Sequence, residues 1–206
     1  MSPRTTEQNE KIRTEKIEAI LAAAIEVYVE KGFRGTEMGD IAKKAGVARG
    51  LVYYYFKSKL ELFRELVLRY TKYAESYIQN SLAAEEEAIS KLEKYTRFYL
   101  DMAYKRPVFI KFYRNIENDM DLIFGEGSDV LRKNYTKNTH EPLIEAFRVA
   151  IAEGKLKKSN PKIMVHVYWG ALNGALDAFM NETIVIDDIE EMITHILDLI
   201  FSGIQK

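Results

Sequence analysis

Cysteine is absent from this 206-residue chain, and tryptophan occurs once and histidine three times. Without cysteine there is no disulfide framework and no thiolate metal site, which fits a reducing compartment. A cytoplasmic location is therefore expected. Metal carboxylate chemistry on a helical scaffold needs Glu-x-x-His pairs. The residues three before His140, His166 and His195 are Lys137, Ile163 and Met192, so no such pair exists. Also missing are a glycine-rich phosphate loop, an HExxH helix and a Gly-x-Ser-x-Gly elbow. Glu85-Glu86-Glu87 reads as a solvated helix start. No catalytic residue, metal ligand or cofactor is assigned, and an enzyme is not expected. The polar start, MSPRTTEQNEK, has no apolar core and gives no secretory signal. The most apolar run, IMVHVYWGALNGALDAFM, is interrupted by His166, Asn173 and Asp177, so a buried helix is expected there and not a membrane span.

What is present is helical periodicity. No segment alternates as a strand would, and no internal repeat is visible. Residues 1–10 read as a flexible polar arm. Ile17, Ile20, Leu21, Ala24, Ile25 and Tyr28 recur at helical spacing over 12–31, and Gly32 closes that helix. Thr36 is placed as the cap of a second helix carrying Ile41, Ala42 and Ala45. A Gly46-Val47 corner follows, then a third helix to Tyr55. Two short helices joined by a tight glycine turn are the sequence form of a helix-turn-helix. Net charge is −1 overall, but residues 1–60 carry +3 and residues 61–206 carry −4. A basic front on an acidic body suits a polyanion at one end.

Gly32-Phe33, Thr36, Asp40-Ile41-Ala42, Ala45-Gly46-Val47, Gly50, Tyr53, Phe56 and Lys59 together resemble the signature of the tetracycline-repressor (TetR) family of bacterial regulators. At motif level the resemblance covers about residues 12–66. It implies an all-α protein: a three-helix DNA reader at 1–57, then a larger helical effector-binding and dimerisation domain at 58–206. Two positions depart from the family. Ala48 stands where a capping Ser or Thr is usual, and Leu51 where Thr or Ser is common.

The DNA-contacting set expected from this reading is Thr36, Arg49, Gly50, Leu51, Tyr53, Tyr54, Tyr55, Lys57 and Lys59. Arg49 and Tyr54 are assigned to base edges, with Gly50 and Leu51 setting the fit. Thr36, Tyr53, Tyr55, Lys57 and Lys59 are assigned to phosphates. Gly50 costs an α-helix about 1 kcal/mol relative to Ala, which close approach to another surface would explain. An ordinary helical corner with solvated charges is the plainer alternative.

Ser58 and Glu61 form a capping box that starts a long fourth helix. Further helices are expected over 85–105, from Pro107 to about 118, from 128 to 153 with a kink at Pro142, from Pro161, and from a cap at Asp187. Gly125-Glu126-Gly127 is read as a loop. The last two helices are apolar on several faces, with Gly170, Ala171, Gly174, Ala175 and Ala178 permitting close approach. Pairing about a twofold axis would make a four-helix bundle and a homodimer. The family commonly encloses a small molecule in this body. Tyr70, Phe98, Tyr99, Met102, Phe112, Asn115, His166, Trp169, Asn173 and Asp177 are the candidate lining for an unidentified effector, apolar or aromatic. The expected partners are thus an operator duplex, a second copy and that effector. The competing reading is a helical small-molecule-binding or interaction protein with a vestigial reader, which a salt-dependent DNA shift assay separates.

Overall fold

The computed structural model describes residues 5–83, 85–180 and 188–203. Every regular element named below is a helix. In order they are α1 (Thr6–Gly35), α2 (Met38–Lys44), α3 (Arg49–Tyr55), α4 (Lys59–Ala83), α5 (Ala88–Lys105), α6 (Pro107–Asn115), α7 (Met120–Phe124), α8 (Ser128–Ala152), α9 (Pro161–Met180) and α10 (Ile189–Ser202). Short 3-10 turns at Ile116–Asp119 and Gly125–Gly127 flank α7. The expected loop at 125–127 is thus a helical turn, and the helix from Pro107 stops three residues short of 118.

The chain divides into two compact units. The first comprises residues 1–70 and 108–128, the second 71–107 and 129–206. The proposed reader at 1–57 falls wholly inside the first unit, which also takes in the opening of α4.

In the first unit, α1 presents Ile20, Leu21, Ala24, Val27 and Tyr28 to the interior, where Ile41, Val52, Phe56, Leu62, Phe63 and Leu66 are buried too. The rings of Tyr28 and Phe33 lie 5.7 and 5.2 Å from that of Phe63. Two polar links tie residues 116–124 to this core. The Tyr28 hydroxyl donates to an Asp119 carboxylate oxygen at 2.7 Å, and Arg64 Nε donates to the Ile123 carbonyl at 2.7 Å. Burial first, then the Asp119 bond, push the Tyr28 phenol well above its ordinary range.

Residues 6–10 are helical and not an arm. Thr5 Oγ1 accepts from the Gln8 amide and Gln8 Oε1 accepts from the Thr5 amide, a reciprocal cap that outweighs the polar composition. Arg4, also assigned to the arm, lies outside the described residues.

In the second unit, Leu92, Tyr95, Leu100, Leu143, Phe147, Tyr168, Leu172, Leu176, Ile193 and Phe201 are buried. A buried polar pair in it is well matched: Thr96 Oγ1 and the Tyr168 hydroxyl are 2.9 Å apart, and Thr96 also donates to the Leu92 carbonyl. Pro142 sits inside α8, where it withholds one amide from the helical ladder. Asp188, and not Asp187, caps α10; its carboxylate accepts from the Glu190 and Glu191 amides. Asp187 lies outside the described residues. Arg97 of α5 reaches Glu190 at 2.7 Å and Thr194 at 3.2 Å on α10. No helix among the described residues is long and apolar enough to cross a membrane.

His140 is half-buried in this unit, with its ring 6.2 Å from Trp169 and 6.4 Å from His166. Burial, then the charge of His166, lower its pKa from the ordinary 6.5. The unfolded chain therefore takes up the proton at higher pH than the folded one. Above pH about 6.5 the group costs nothing; below it, stability falls as the pH drops through the folded value. Melting followed between about pH 7.5 and pH 5.5 should show a larger loss in wild type than in His140→Gln. Equal losses would assign the acid sensitivity elsewhere.

Candidate nucleic-acid interface

Two glycines shape the corner. Gly32 takes φ 68° and interrupts α1, turning its last residues before Thr36. Gly46 takes φ 63° after α2; its amide bonds the Lys43 carbonyl at 3.2 Å, and the Val47 amide bonds the Ala42 carbonyl at 3.0 Å. That pair of bonds is the Schellman closure, which needs a left-handed residue and so favours glycine. With Ile41, Ala42, Val52 and Phe56 buried around it, the corner sets α3 in place. Ala45 and Val47 are half-buried beside them.

The residues assigned on α3 differ in exposure. Arg49 and Gly50 are exposed, and Tyr54 is 78% exposed, a large aromatic left in solvent. Tyr53 is exposed beneath Arg49, whose guanidinium carbon lies 5.6 Å from its ring centre. Tyr55 and Leu51 are half-buried, and the Tyr54 and Tyr55 rings meet edge to face at 5.1 Å. A Cβ built on Gly50 meets nothing within 4 Å, so no contact inside the chain demands glycine there. Ala48 opens α3 with no side-chain cap, as its methyl dictates.

The anchor residues behave differently from expectation. Thr36 does not cap α2; Glu37 holds that position without a side-chain bond. Thr36 is instead 1% exposed, closes the end of α1, and donates its hydroxyl to the Gly32 carbonyl at 2.7 Å. Ser58 caps α4 by accepting from the Glu61 amide at 3.1 Å, while the Glu61 carboxylate accepts from the Lys57 amide at 2.8 Å. The Lys57 side chain is exposed. Lys59 turns inward, its ammonium on the carbonyls of Phe33, Thr36 and Arg34 at 2.7, 2.9 and 3.3 Å.

Along α1 and α2, an open groove of about 370 Å³ is lined by Val27, Glu30, Lys31, Asp40, Lys43 and Lys44. Its charges are largely matched: Lys31 meets Asp40 at 2.7 Å, and Lys44 meets Glu26 and Glu30 at 2.9 and 3.1 Å.

The effector candidates fall in both units. Tyr70, Phe112 and Asn115 belong to the first; Phe98, Tyr99, Met102, His166, Trp169, Asn173 and Asp177 belong to the second. In the first, Phe112 is buried and its ring lies 6.4 Å from Tyr70, but Asn115 is exposed. In the second, Phe98 stacks on Tyr77 at 3.9 Å, and Tyr99 meets Trp169 edge to face at 5.7 Å. Trp169 Nε1 is shielded from solvent and donates to no group among the described residues. His166 and Asp177 are exposed on α9, so they do not supply interior polar groups; Asn173 and Met102 are half-buried. No group of three His, Asp or Glu among the described residues could hold a metal ion.

The fold and this site define a helix-turn-helix protein whose third helix is short, aromatic and basic at its start. Comparison with known proteins narrows the class. Residues 20–66 match the family model of bacterial regulatory proteins, tetR family. The fatty acid metabolism regulator protein of Bacillus subtilis is 35% identical over 80 residues, covering 37% of this chain and 41% of that one. The matched part therefore spans about two fifths of that relative's length. The transcriptional regulator QacR of Staphylococcus aureus is 26% identical over 141 residues, covering 66% and 69% of the two chains. A solved structure from Clostridium perfringens, described as a candidate fatty acid metabolism regulator, superposes with a TM-score of 0.71. It is 25% identical, over 91% of this chain and 99% of the other.

Proposed function

We propose that the protein is a sequence-specific DNA-binding transcription regulator, a ligand-responsive repressor that reads a palindromic operator as a homodimer. The observation that carries this is α3 itself. A helix seated on its glycine corner by buried Val52 and Phe56 turns Arg49, Gly50, Tyr53 and Tyr54 into solvent. Exposed aromatic and cationic groups around a bare backbone turn match the edges and phosphates of a major groove. Arg49 and Tyr54 take the base edges; Tyr53, Tyr55 and Lys57 take the phosphates. Arg49→Ala is expected to relax base preference at one position of each half-site by about 1–3 kcal/mol. Binding-site selection with wild type and variant measures this, and an identical preference would remove Arg49 from base reading.

For dimerisation, α9 offers Ile163 and Val167, 58% and 56% exposed, in line with exposed Gly170, Ala171 and Gly174. Leu199 on α10 is 76% exposed. Apolar and small residues on one helix face are suited to a copy of that face across a twofold axis. Two reading heads would then meet half-sites about one helical turn, ~34 Å, apart.

For the effector, the second unit is the favoured seat, with Tyr77, Phe98, Tyr99, Met102 and Trp169 as its half-buried aromatic and thioether surface. The Trp169 indole N–H supplies one donor for an acceptor atom of the ligand. The names of the B. subtilis and C. perfringens relatives favour an acyl compound within the apolar class. Because Trp169 is the single tryptophan, its fluorescence reports occupancy directly. α4 runs from Lys59 in the first unit to Ala83 in the second, and we assign the signal to it. A ligand acts only through a difference in its affinity for free and operator-bound protein. A helical ligand carrier with an idle reader is excluded if DNA shifts depend on salt and sequence.

A further inference from the structure

We propose that Lys59 is a positioning residue, holding the start of α4 onto the end of α1 from inside the reader, and that it does not neutralise an operator phosphate. This rests on the DNA-reading function of α3 proposed above. An ammonium has three donors, and the three carbonyl oxygens of Phe33, Thr36 and Arg34 receive it at 2.7, 2.9 and 3.3 Å. Its fourth neighbour is the Phe33 ring, with the nitrogen 4.6 Å from the ring centre, where the π face attracts a cation.

The placement is peculiar for a helix-starting residue. A cation in the first turn of α4 lies at the positive end of that helix dipole and is disfavoured there. What offsets this is the opposite end of α1. The Gly32 interruption and the exit at Thr36 leave carbonyls past the point where helical amides can serve them. Lys59 satisfies those carbonyls across 23 to 26 residues of chain. The link spans the α2–α3 pair in sequence: its two ends are the last turn of α1, out to Thr36, and the residue opening α4. Closing that span fixes where α2–α3 begins and ends.

The local charges agree. The Glu61 carboxylate occupies the amide of Lys57 beside the same helix start, which makes the spot unwelcoming to a second anion. Lys57, with its exposed side chain, is the cation aimed outward.

Three variants and one spectrum decide the matter. Operator affinity is measured against salt for wild type, Lys59→Met, Lys59→Arg and Lys57→Ala, with each variant checked for wild-type helicity by circular dichroism. Lys59→Met keeps the stem over Phe33 and loses the donors; Lys59→Arg keeps the charge but not the compact three-donor head. Both are expected to bind roughly tenfold more weakly at every salt concentration, with the wild-type slope of log affinity on log salt unchanged. Lys57→Ala should lower that slope by about 1. Nitrogen-15 spectra of lysine side chains in the wild type should show one slowly exchanging ammonium, assigned through its loss in either Lys59 variant. Its shift should stay in place when operator is added. The proposal is overturned if Lys59→Arg binds as wild type while Lys59→Met lowers the slope by about 1. It is equally overturned if the ammonium signal moves on operator binding, or if both Lys59 variants bind as tightly as wild type. Should a variant not fold, the wild-type spectrum with and without operator decides alone. A wild type that binds no duplex at any salt would remove the DNA-reading function, whereas a fast-exchanging ammonium in free protein would remove the carbonyl seat.

Discussion

Phe63→Ala is expected to destabilise the first unit by about 3–5 kcal/mol. Phe63 is fully buried and stands between Tyr28 and Phe33, the latter meeting it edge to face at 87°. Truncation removes the transfer free energy of a benzyl group and leaves a cavity. The walls have little room to close over it, because two of them are rings on α1 and its C-terminal turn. Natural domains hold only about 5–15 kcal/mol in total, so much of the margin of this unit would go. The consequence for function is specific. Phe33 is also the ring beneath the Lys59 ammonium, so losing the Phe63 contact loosens the closure of the reader. Urea titration followed by circular dichroism measures the effect, and a loss below about 1 kcal/mol would mean that the site collapses freely. Tyr54→Ala is the matched control: the residue is exposed, so stability should change by no more than about 0.5 kcal/mol.

The second large effect is at Gly174. Glycine inside a helix costs about 1 kcal/mol relative to alanine, and a Cβ built at Gly174 or Gly170 meets nothing within 4 Å in the chain. For a lone subunit, Gly174→Glu should therefore be harmless or stabilising. For a subunit that pairs through α9, the same change puts two carboxylates into a close helix–helix contact, where burying charge without a partner is costly. We expect the variant to sediment as a folded monomer with undiminished melting temperature at low concentration. Operator affinity should then fall by roughly 10²–10⁴, since each half-site is bound without the benefit of its tethered neighbour. A variant that remains dimeric and binds normally would move the interface off this face of α9. The contrast between unchanged folding and lost association is what makes glycine the informative position.

Much of the reader was legible residue by residue. Gly46 marked its corner because few other residues accept a positive φ there, and Ser58 with Glu61 marked the start of α4 because a capping box is a local arrangement. The same rule was available at Thr5 and Gln8, where T-x-x-Q outweighed a polar composition that suggested an arm. Thr36 shows the limit of such reasoning. Beside a helix start, threonine reads as a cap, yet its hydroxyl turned back to Gly32 and sealed the preceding helix instead. Both choices are local; the burial of the whole corner chose between them.

In the body, periodicity placed the helices but not their inward faces. His166 and Asp177 interrupt an apolar run and so looked like polar groups of an interior site. They lie on the exposed side of α9, because Met164, Val165, Tyr168, Leu172 and Leu176 fill the inner side. A helix apolar nearly all round carries no internal signal of which stripe meets its own unit.

Fold class, helix order, the glycine corner and the outward set on α3 follow from the amino-acid sequence, since each depends on spacing within a few residues. The direction of the Lys59 ammonium, the division of the aromatic residues between two units, and the face of α9 left bare were decided by tertiary structure. The reason is physical. A long cationic side chain settles where the most carbonyl oxygens converge, and Lys59 reaches those at the end of α1 only when α1 and α4 have packed.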